Sequence, residues 1–194
     1  MNFEAARKFI LNKLKKELDQ DLFYHSYSHT LDVFASTQEI AEQEGIDGEE
    51  FTLLKTAALY HDSGFLTTYQ EHEKVGCELV RQVLPNFDYT SDQIERICGM
   101  IMATKVPQNP QNHLEKIICD ADLYYLGRDD FFPVGRNLFR EFLHHGVVQS
   151  EESWNELQIK FLSNHHYFTE TAQRLRAPRK AEHLAQIQRM SRVQ

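Results

Sequence analysis

Four polar side chains with the chemistry of metal ligands lie in segments that are otherwise apolar. His61 and Asp62 are adjacent at the end of the run AALYHDSGF, His29 lies in YHSYSHT, and Asp122 lies in IICDADLYYLG. Burying such groups without a partner costs about 2–7 kcal/mol each. Two imidazoles and two carboxylates make a mixed nitrogen and oxygen set, which suits a divalent cation such as Mn, Fe, Co, Ni or Zn and suits Mg less well.

The adjacency of His61 and Asp62 restricts where a shared ion could lie. Successive residues of a helix point about 100° apart, so both side chains can reach one ion only where the helix ends. The segment that follows, SGF, favours such an end because Gly64 is free to take a positive φ. The alternative is that His61 and Asp62 satisfy each other and nearby backbone groups without any metal.

Helical periodicity dominates the chain and predicts the elements that position these residues. No alternating strand pattern occurs, so we expect an all-α fold. Helices are predicted over about 2–20, 28–43, 49 into His61-Asp62, 71–83, a fifth segment from Thr90, a sixth carrying LEKIICDADLYYLG, then 129–145, 151–166 and 170–190.

Four helix boundaries carry recognisable signals. Gly45 is placed to end the second helix as a C′ glycine. Pro85 closes the fourth helix, and Thr90 with Gln93 forms a candidate capping box at the start of the fifth. The sixth helix, which carries the DAD sequence, is expected to end at Gly127.

The composition limits the classes of protein to which the chain can belong. Its 194 residues, of which 41% are hydrophobic, predict a single helical domain over 1–194. The net charge of −8 argues against a nucleic-acid partner, because a phosphate backbone demands a dense positive face. The chain has no apolar run long enough to span a bilayer and no signal-peptide pattern, so we expect a cytoplasmic protein without a membrane partner.

Three cysteines are the remaining reactive side chains of the sequence. Cys77, Cys98 and Cys119 are widely spaced, and each lies within an apolar helical segment. Their odd number and their spacing fit neither a zinc knuckle nor a disulfide framework. We therefore expect them to behave as small hydrophobic residues of the core.

The order and context of the four polar residues resemble the HD-domain superfamily of metal-dependent phosphohydrolases. That family has a lone histidine, then an adjacent His-Asp pair, then a distant aspartate in a DAD-type helix, which here correspond to His29, His61-Asp62 and Asp122. The segments YHSYSHT, LYHDSGF, EHEKVGCELV and ICDADLYYLG each resemble the family segment in the same order. The resemblance covers about residues 20–145, and four matched contexts are more specific than the bare motif letters.

The resemblance implies an all-α fold with a metal ion in a cleft between helices, held by His29, His61, Asp62 and Asp122. Asp120 would support the metal ligands without binding the ion itself, or would cap its helix locally. Some family members hold a second metal with extra histidines, but the comparable stretch IMATKVPQNP has none. We therefore expect one divalent ion, which could be Mn, Fe, Co, Ni, Zn or Mg.

The implied activity is hydrolysis of a phosphoester bond in a nucleotide or another small phosphorylated metabolite. Water bound to the ion would attack phosphorus, since a divalent metal lowers the pKa of bound water and polarises a phosphoryl oxygen. By family analogy Asp62 orients that water, and His72 and Lys105 are expected to help hold phosphate. His72 and Glu73 could instead form an exposed helix start, where acidic residues favour the helix dipole. Lys105 could be an ordinary solvated lysine, and His25 is a further candidate ligand.

Two other interpretations are compatible with the sequence. A non-catalytic module of the HD type could bind metal or nucleotide as a sensor or interaction unit, without turnover. A purely structural helical protein could satisfy its histidines and aspartates internally. Homo-oligomer formation stays open, and the stretch after about residue 146 lies outside the resemblance, where it could serve packing, a lid or a partner.

Overall fold

The computed structural model describes residues 1–191, which form nine α-helices and no strand. The prediction of an all-α fold is confirmed. Three short 3-10 helices cover Ser63–Leu66, Leu84–Phe87 and Tyr124–Gly127. The α-helices are α1 (Phe3–Glu17), α2 (Tyr27–Gln43), α3 (Gly48–Tyr60), α4 (His72–Val83), α5 (Ser91–Ala103), α6 (His113–Asp122), α7 (Phe131–His144), α8 (Glu151–Asn164) and α9 (Glu170–Ser191).

The boundary signals in the sequence act where they were expected. Thr90 and Gln93 form the capping box of α5: the Gln93 N–H donates to the Thr90 hydroxyl at 3.3 Å, and the Thr90 N–H donates to the Gln93 side chain at 2.9 Å. Gly45, with φ of +71°, lies just beyond the end of α2. Pro85 lies in the 3-10 helix that directly follows α4.

The predicted sixth helix is wrong at its end, because α6 stops at Asp122 rather than at Gly127. The chain continues as the 3-10 helix Tyr124–Gly127, in which backbone N–H groups bond three residues back instead of four. Gly127 is needed for close approach: a Cβ atom there would lie 2.2 Å from the carbonyl oxygen of Arg176. The earlier end of α6 leaves Asp122 as its terminal residue.

The helices group into two compact units, of which the first comprises Met1–Asp19 and His25–Asp122. Within it α3 is the central helix and packs against α1, α2, α5 and α6, while α4 packs on α5. The α3 side chains of Leu53, Leu54 and Ala57 are completely buried. The residues that follow α3 therefore emerge inside the core of this unit.

The second unit comprises Gln20–Tyr24 and the chain from Leu123 onwards. In it α9 packs against α8 and against the 3-10 helix Tyr124–Gly127. The buried carboxylate of Glu141 accepts the backbone N–H of Tyr24 at 2.7 Å. The single domain expected over 1–194 stays a prediction, and its last three residues lie outside the described part of the chain. Within the described part, no helix is long and apolar enough to cross a membrane.

Candidate metal centre

Each of the four predicted ligands lies at a helix end. His29 is in the first turn of α2, His61 and Asp62 directly follow the last residue of α3, and Asp122 is the last residue of α6. The adjacency of His61 and Asp62 predicted a helix end at this point, and the structure has one. The C-terminal ends of α3 and α6 carry partial negative charge from their free carbonyl groups, which favours a cation nearby.

The ligand atoms of the four side chains lie around one small buried volume. Nε2 of His29 is 3.2 Å from Oδ1 of Asp122, and Nε2 of His61 is 3.4 Å from Nε2 of His29. One atom from each of His29, His61 and Asp122 lies within 4.8 Å of the others. Oδ2 of Asp62 is 3.1 Å from Nε2 of His61 and 3.5 Å from Nε2 of His29. The structure therefore brings the four predicted side chains close together, although Asp62 contacts the histidines and is not a member of the three-residue cluster.

The chemistry of this set fits a divalent cation. Nδ1 of His61 lies 2.8 Å from the carbonyl oxygen of Ala58, which can only accept, so this ring nitrogen carries the hydrogen. In the neutral imidazole Nε2 then presents its lone pair to the aspartate oxygens. Oδ2 of Asp62 is buried and accepts no hydrogen bond from the described residues. Lone pairs converging in a buried site are stabilised by a positive charge placed among them.

The pKa shifts of the cluster arise from the close approach of its imidazoles and carboxylates. Burial disfavours a charged imidazole, but Asp62 and Asp122 outweigh it and raise the pKa of His61 well above its ordinary value. Burial acts against both carboxylates too, yet His61 holds the pKa of Asp62 far below its usual range, and hydrogen bonds from His29 and His61 lower that of Asp122 to about 2. Opposite charges thus stabilise each other in this cluster, and the site favours a positive charge among its carboxylates.

His72 lies at the edge of the cluster. It is the first residue of α4, and its Nε2 is 3.5 Å from Oδ1 of Asp62 and 3.5 Å from Oε1 of Glu73. Burial lowers the pKa of His72, although the carboxylates of Asp62 and Glu73 oppose that shift. The Glu73 side chain is only 9% exposed, so the alternative of an exposed helix start does not describe this residue. The functional roles of both residues stay predictions.

Gly64 acts through close approach and not through a positive φ, so the expectation for this residue is corrected. The positive-φ glycines of the described chain are Gly45, Gly48 and Gly146. A Cβ atom on Gly64 would lie 1.9 Å from the carbonyl oxygen of His72. The absence of a side chain at Gly64 therefore lets the start of α4 approach the residues that follow α3, and this brings His72 to Asp62.

Phe65 is a site residue that the sequence analysis missed. Its buried ring stacks on His72 with ring centroids 4.0 Å apart and on His25 with centroids 4.3 Å apart. His25, considered as a ligand, has its ring centroid 6.1 Å from that of His29 and contributes no atom to the three-residue cluster. The only sequence signal for this aromatic group was the phenylalanine directly after the glycine of HDSG.

Lys105 lies outside the ligand cluster. Its Nζ forms an ion pair with Glu71 at 2.6 Å, and 44% of its side chain is exposed. The hydrogen bond and charge of Glu71 raise the pKa of Lys105. Glu71 directly precedes His72, so this pair flanks the start of α4. The expected phosphate contact of Lys105 stays a prediction. Asp120 is fully buried in α6 and is not among the converging atoms of the cluster.

A separate groove of about 600 Å³ lies in the same unit and contains none of the predicted ligands. Several of its charged lining residues form ion pairs: Arg96 donates to Glu50 at 2.8 Å, and His113 lies 3.3 Å from Glu44. The groove therefore offers no converging unpaired groups of the kind found at Asp62.

Comparisons with known proteins agree with this picture. The family model of the HD domain matches residues 26–126, just over half of the chain. A predicted HD superfamily hydrolase from an uncultured Thermotogales bacterium is 22% identical with a TM-score of 0.65, over 94% of this chain and 90% of that one. Bacillus subtilis YpgQ in complex with ADP is 19% identical with a TM-score of 0.69, over 100% and 97%. At these identities the two structures show a shared fold alone. No curated protein matches the chain.

Proposed function

The chain belongs to the HD domain family, and from that premise we propose that it is a metal-dependent phosphohydrolase. Its substrate would be a nucleotide or another small phosphorylated metabolite, cleaved at a phosphoester bond. The observation that carries the proposal is the buried Oδ2 of Asp62, which accepts no hydrogen bond from the described residues although it lies 3.1 Å from Nε2 of His61. A site arranged in this way is incomplete without a cation.

His29, His61, Asp62 and Asp122 would hold one divalent ion. Such an ion would supply an activated water and would polarise a phosphoryl oxygen. Mn, Fe, Co, Ni and Zn fit the two imidazoles and two carboxylates better than Mg does. The hydrogen bond from His61 to Ala58 fixes the ring, so that Nε2 stays directed at the cluster when the ion arrives.

The two oxygens of Asp62 face different partners, and this supports a second role for the residue. Oδ2 faces the imidazoles of His61 and His29, whereas Oδ1 lies 3.5 Å from Nε2 of His72. Asp62 could therefore bind the ion through one oxygen and accept a hydrogen bond from the attacking water through the other. His72, next to Oδ1, would donate to a phosphoryl oxygen of the substrate.

A nucleotide is the first substrate class to test. The solved structure of YpgQ, whose fold this chain shares, is a complex with ADP. One observation favours the non-catalytic module as a second candidate: the ammonium group of Lys105, expected to contact phosphate, is held by Glu71 at 2.6 Å. A module of this kind would retain the metal and bind a phosphorylated ligand without turning it over.

The test begins with elemental analysis of the purified protein beside His61→Ala and a control, His113→Ala. His113 lies in the same unit, is about half exposed and pairs with Glu44. We expect about one equivalent of a transition metal in the wild-type protein and in the control, and loss of metal in His61→Ala. If metal is absent from all three and added Mn²⁺ does not change the melting temperature, the metal-site assignment is wrong.

The second step separates the enzyme from the binding module. The metal-loaded protein is assayed with nucleoside mono-, di- and triphosphates, cyclic nucleotides and simple phosphate monoesters. Phosphate release that disappears in Asp62→Asn supports the enzyme. Ligand binding that protects the protein against thermal unfolding, without product at any substrate, supports the non-catalytic module.

A further inference from the structure

Two cysteines from neighbouring helices meet in the core of the first unit. Cys77 lies in α4 and Cys98 in α5, and both side chains are buried. The thiol of Cys77 contacts the carbonyl oxygen of Cys98 at 3.5 Å, and the thiol of Cys98 contacts the carbonyl oxygen of Cys77 at 3.8 Å. These reciprocal contacts place each sulfur against the backbone of the other cysteine, so the two side chains approach each other as formation of a disulfide requires.

Cys119 lies in a different environment and offers an internal comparison. It is fully buried in α6, and its thiol donates to the carbonyl oxygen of Ala103 at 3.1 Å. No sulfur partner of Cys119 is found among the described residues. Burial raises the pKa of this thiol, which keeps it in the unreactive protonated form.

We propose that Cys77 and Cys98 form a reversible disulfide when the protein meets a peroxide, and that this pair is a redox modification site separate from the metal centre. The function proposed above does not use either cysteine. A peroxide is the oxidant best suited to the pair because it is small enough to reach a buried thiol during local opening of the helices. In a reducing compartment such a disulfide would be transient, as in redox sensing.

The geometry treats the two sulfurs alike, because each contacts the carbonyl oxygen of the other residue. Since the thiolate is the nucleophile, whichever of the two thiols ionises first attacks the peroxide, and the other resolves the product.

The reaction proceeds in two balanced steps. The first thiolate of the pair attacks one oxygen of hydrogen peroxide and becomes a sulfenic acid, and the released hydroxide takes up a proton to form water. The second sulfur then attacks the sulfenic sulfur, the S–S bond forms, and a second water leaves. Two electrons pass from the two sulfurs to the peroxide. A dithiol reductant reverses the oxidation by thiol–disulfide exchange.

The experiment treats the full chain with hydrogen peroxide, with and without EDTA, then alkylates it under denaturing conditions and maps its peptides without reductant. EDTA separates direct oxidation from oxidation catalysed by a bound metal. We expect a mass loss of two hydrogens, one cross-linked peptide joining Cys77 to Cys98, alkylated Cys119, and full reversal by dithiothreitol. The variant Cys119→Ser should give the same cross-link, and Cys77→Ser should not.

Trapping of the intermediate tests the sulfenic-acid step. With dimedone as the sulfenic-acid probe, Cys77→Ser should be labelled at Cys98, and Cys98→Ser should be labelled at Cys77. The proposal is overturned if all three cysteines of the wild-type chain stay open to alkylation, if the cross-link involves Cys119, or if it forms only in denaturant. The wild-type peptide map decides these outcomes even if a serine variant fails to fold.

Discussion

The Nδ1–H group of His61 donates to the backbone carbonyl of Ala58 across 2.8 Å, and this bond determines which ring nitrogen faces the cluster. Ala58 lies in the last turn of α3, so the helix that delivers His61 also fixes its ring. The structure therefore explains why a histidine and an aspartate can stand side by side at this helix end. His61 is anchored to the helix backbone by this bond. Asp62 lies beyond the last residue of α3, and its carboxylate reaches the same small volume.

The first prediction concerns this tautomer. On addition of Zn²⁺, which is diamagnetic, the Nδ1–H of His61 should persist while Nε2 binds the ion, because the Ala58 carbonyl can accept but cannot donate. Two-bond ¹H–¹⁵N correlation spectra of the metal-free and zinc-loaded protein measure this directly. His113 serves as the reference, since its ring is exposed and pairs with Glu44. Binding through Nδ1 of His61 would contradict the arrangement.

Gly64→Ala should be strongly destabilising. A Cβ atom on residue 64 would lie 1.9 Å from the carbonyl oxygen of His72, so the backbone of one of the two segments must move. We expect a loss of at least about 2 kcal/mol in the free energy of unfolding, which is in the range for overpacked sites. Because the displaced segments carry Asp62 and His72, metal affinity should fall as well. Urea unfolding and metal titration measure the two effects.

The matched control for that substitution is Gly99→Ala. Gly99 lies in α5, and a Cβ atom there would meet only the end of the Glu115 side chain, at 3.2 Å. Alanine is the better helix former by about 1 kcal/mol, so this variant should be neutral or more stable. Equal destabilisation by both variants would show that the close approach at Gly64 is not the cause.

The capping box of α5 offers a prediction away from the site. Thr90→Ala removes the hydroxyl that accepts from the Gln93 N–H at 3.3 Å, and it should cost about 1 kcal/mol of stability. Gln93→Ala removes the reciprocal bond, and the double variant should lose less than the sum because the two side chains act as one unit. Metal content should stay unchanged in all three proteins. A full additive loss would indicate that the two bonds are independent.

The sequence predicts the features of this structure that depend on residues close together in the chain better than those that depend on distant ones. Helix boundaries with local signals, such as Thr90 with Gln93 and the glycine at Gly45, follow from residues within one turn of each other. The predicted end of α6 at Gly127 was wrong, because apolar spacing over four residues does not distinguish a 3-10 turn from another turn of α-helix.

In the candidate site, too, some features could be predicted from local sequence signals and others could not. The proximity of the four candidate ligands was predictable, since His and Asp in apolar segments are costly unless they have a partner. The role of Phe65 and the close approach at Gly64 could not be predicted, because both depend on where α4 begins relative to the end of α3. Nothing in the local pattern states that distance, which comes from the packing of α4 on the turn that follows α3.

Lys180 carries a prediction for alkaline pH. Its side chain is buried, with Nζ 3.4 Å from the carbonyl oxygen of Leu162 and 3.1 Å from Nδ1 of His165, and it also donates to the carbonyl oxygen of His165. Burial lowers the pKa of Lys180 from 10.5. Between its folded-state pKa and 10.5 the unfolded chain binds more protons, so this residue makes stability rise with pH in that window.

The measurement compares the wild-type protein with Lys180→Met by urea unfolding at several pH values between about 8 and 10.5. Titration of all other groups cancels in the difference between the two proteins. The difference in the free energy of unfolding should shift in favour of the wild type as pH rises. A difference that shifts in favour of Lys180→Met would mean that the pKa of Lys180 is raised, with the ammonium stabilised by the carbonyl groups of Leu162 and His165.

Substitutions in the pair of Lys105 and Glu71 test substrate binding separately from protein stability. Both side chains are exposed, so Lys105→Ala should leave the free energy of unfolding nearly unchanged despite the 2.6 Å contact. If Lys105 holds phosphate in the proposed enzyme, the same variant should raise KM, while Glu71→Gln, which frees the ammonium, should lower it. Steady-state kinetics on the best substrate of the panel, with metal content verified, measure both variants. Unchanged kinetics in both would remove Lys105 from the proposed site and leave the pair as a surface contact at the start of α4.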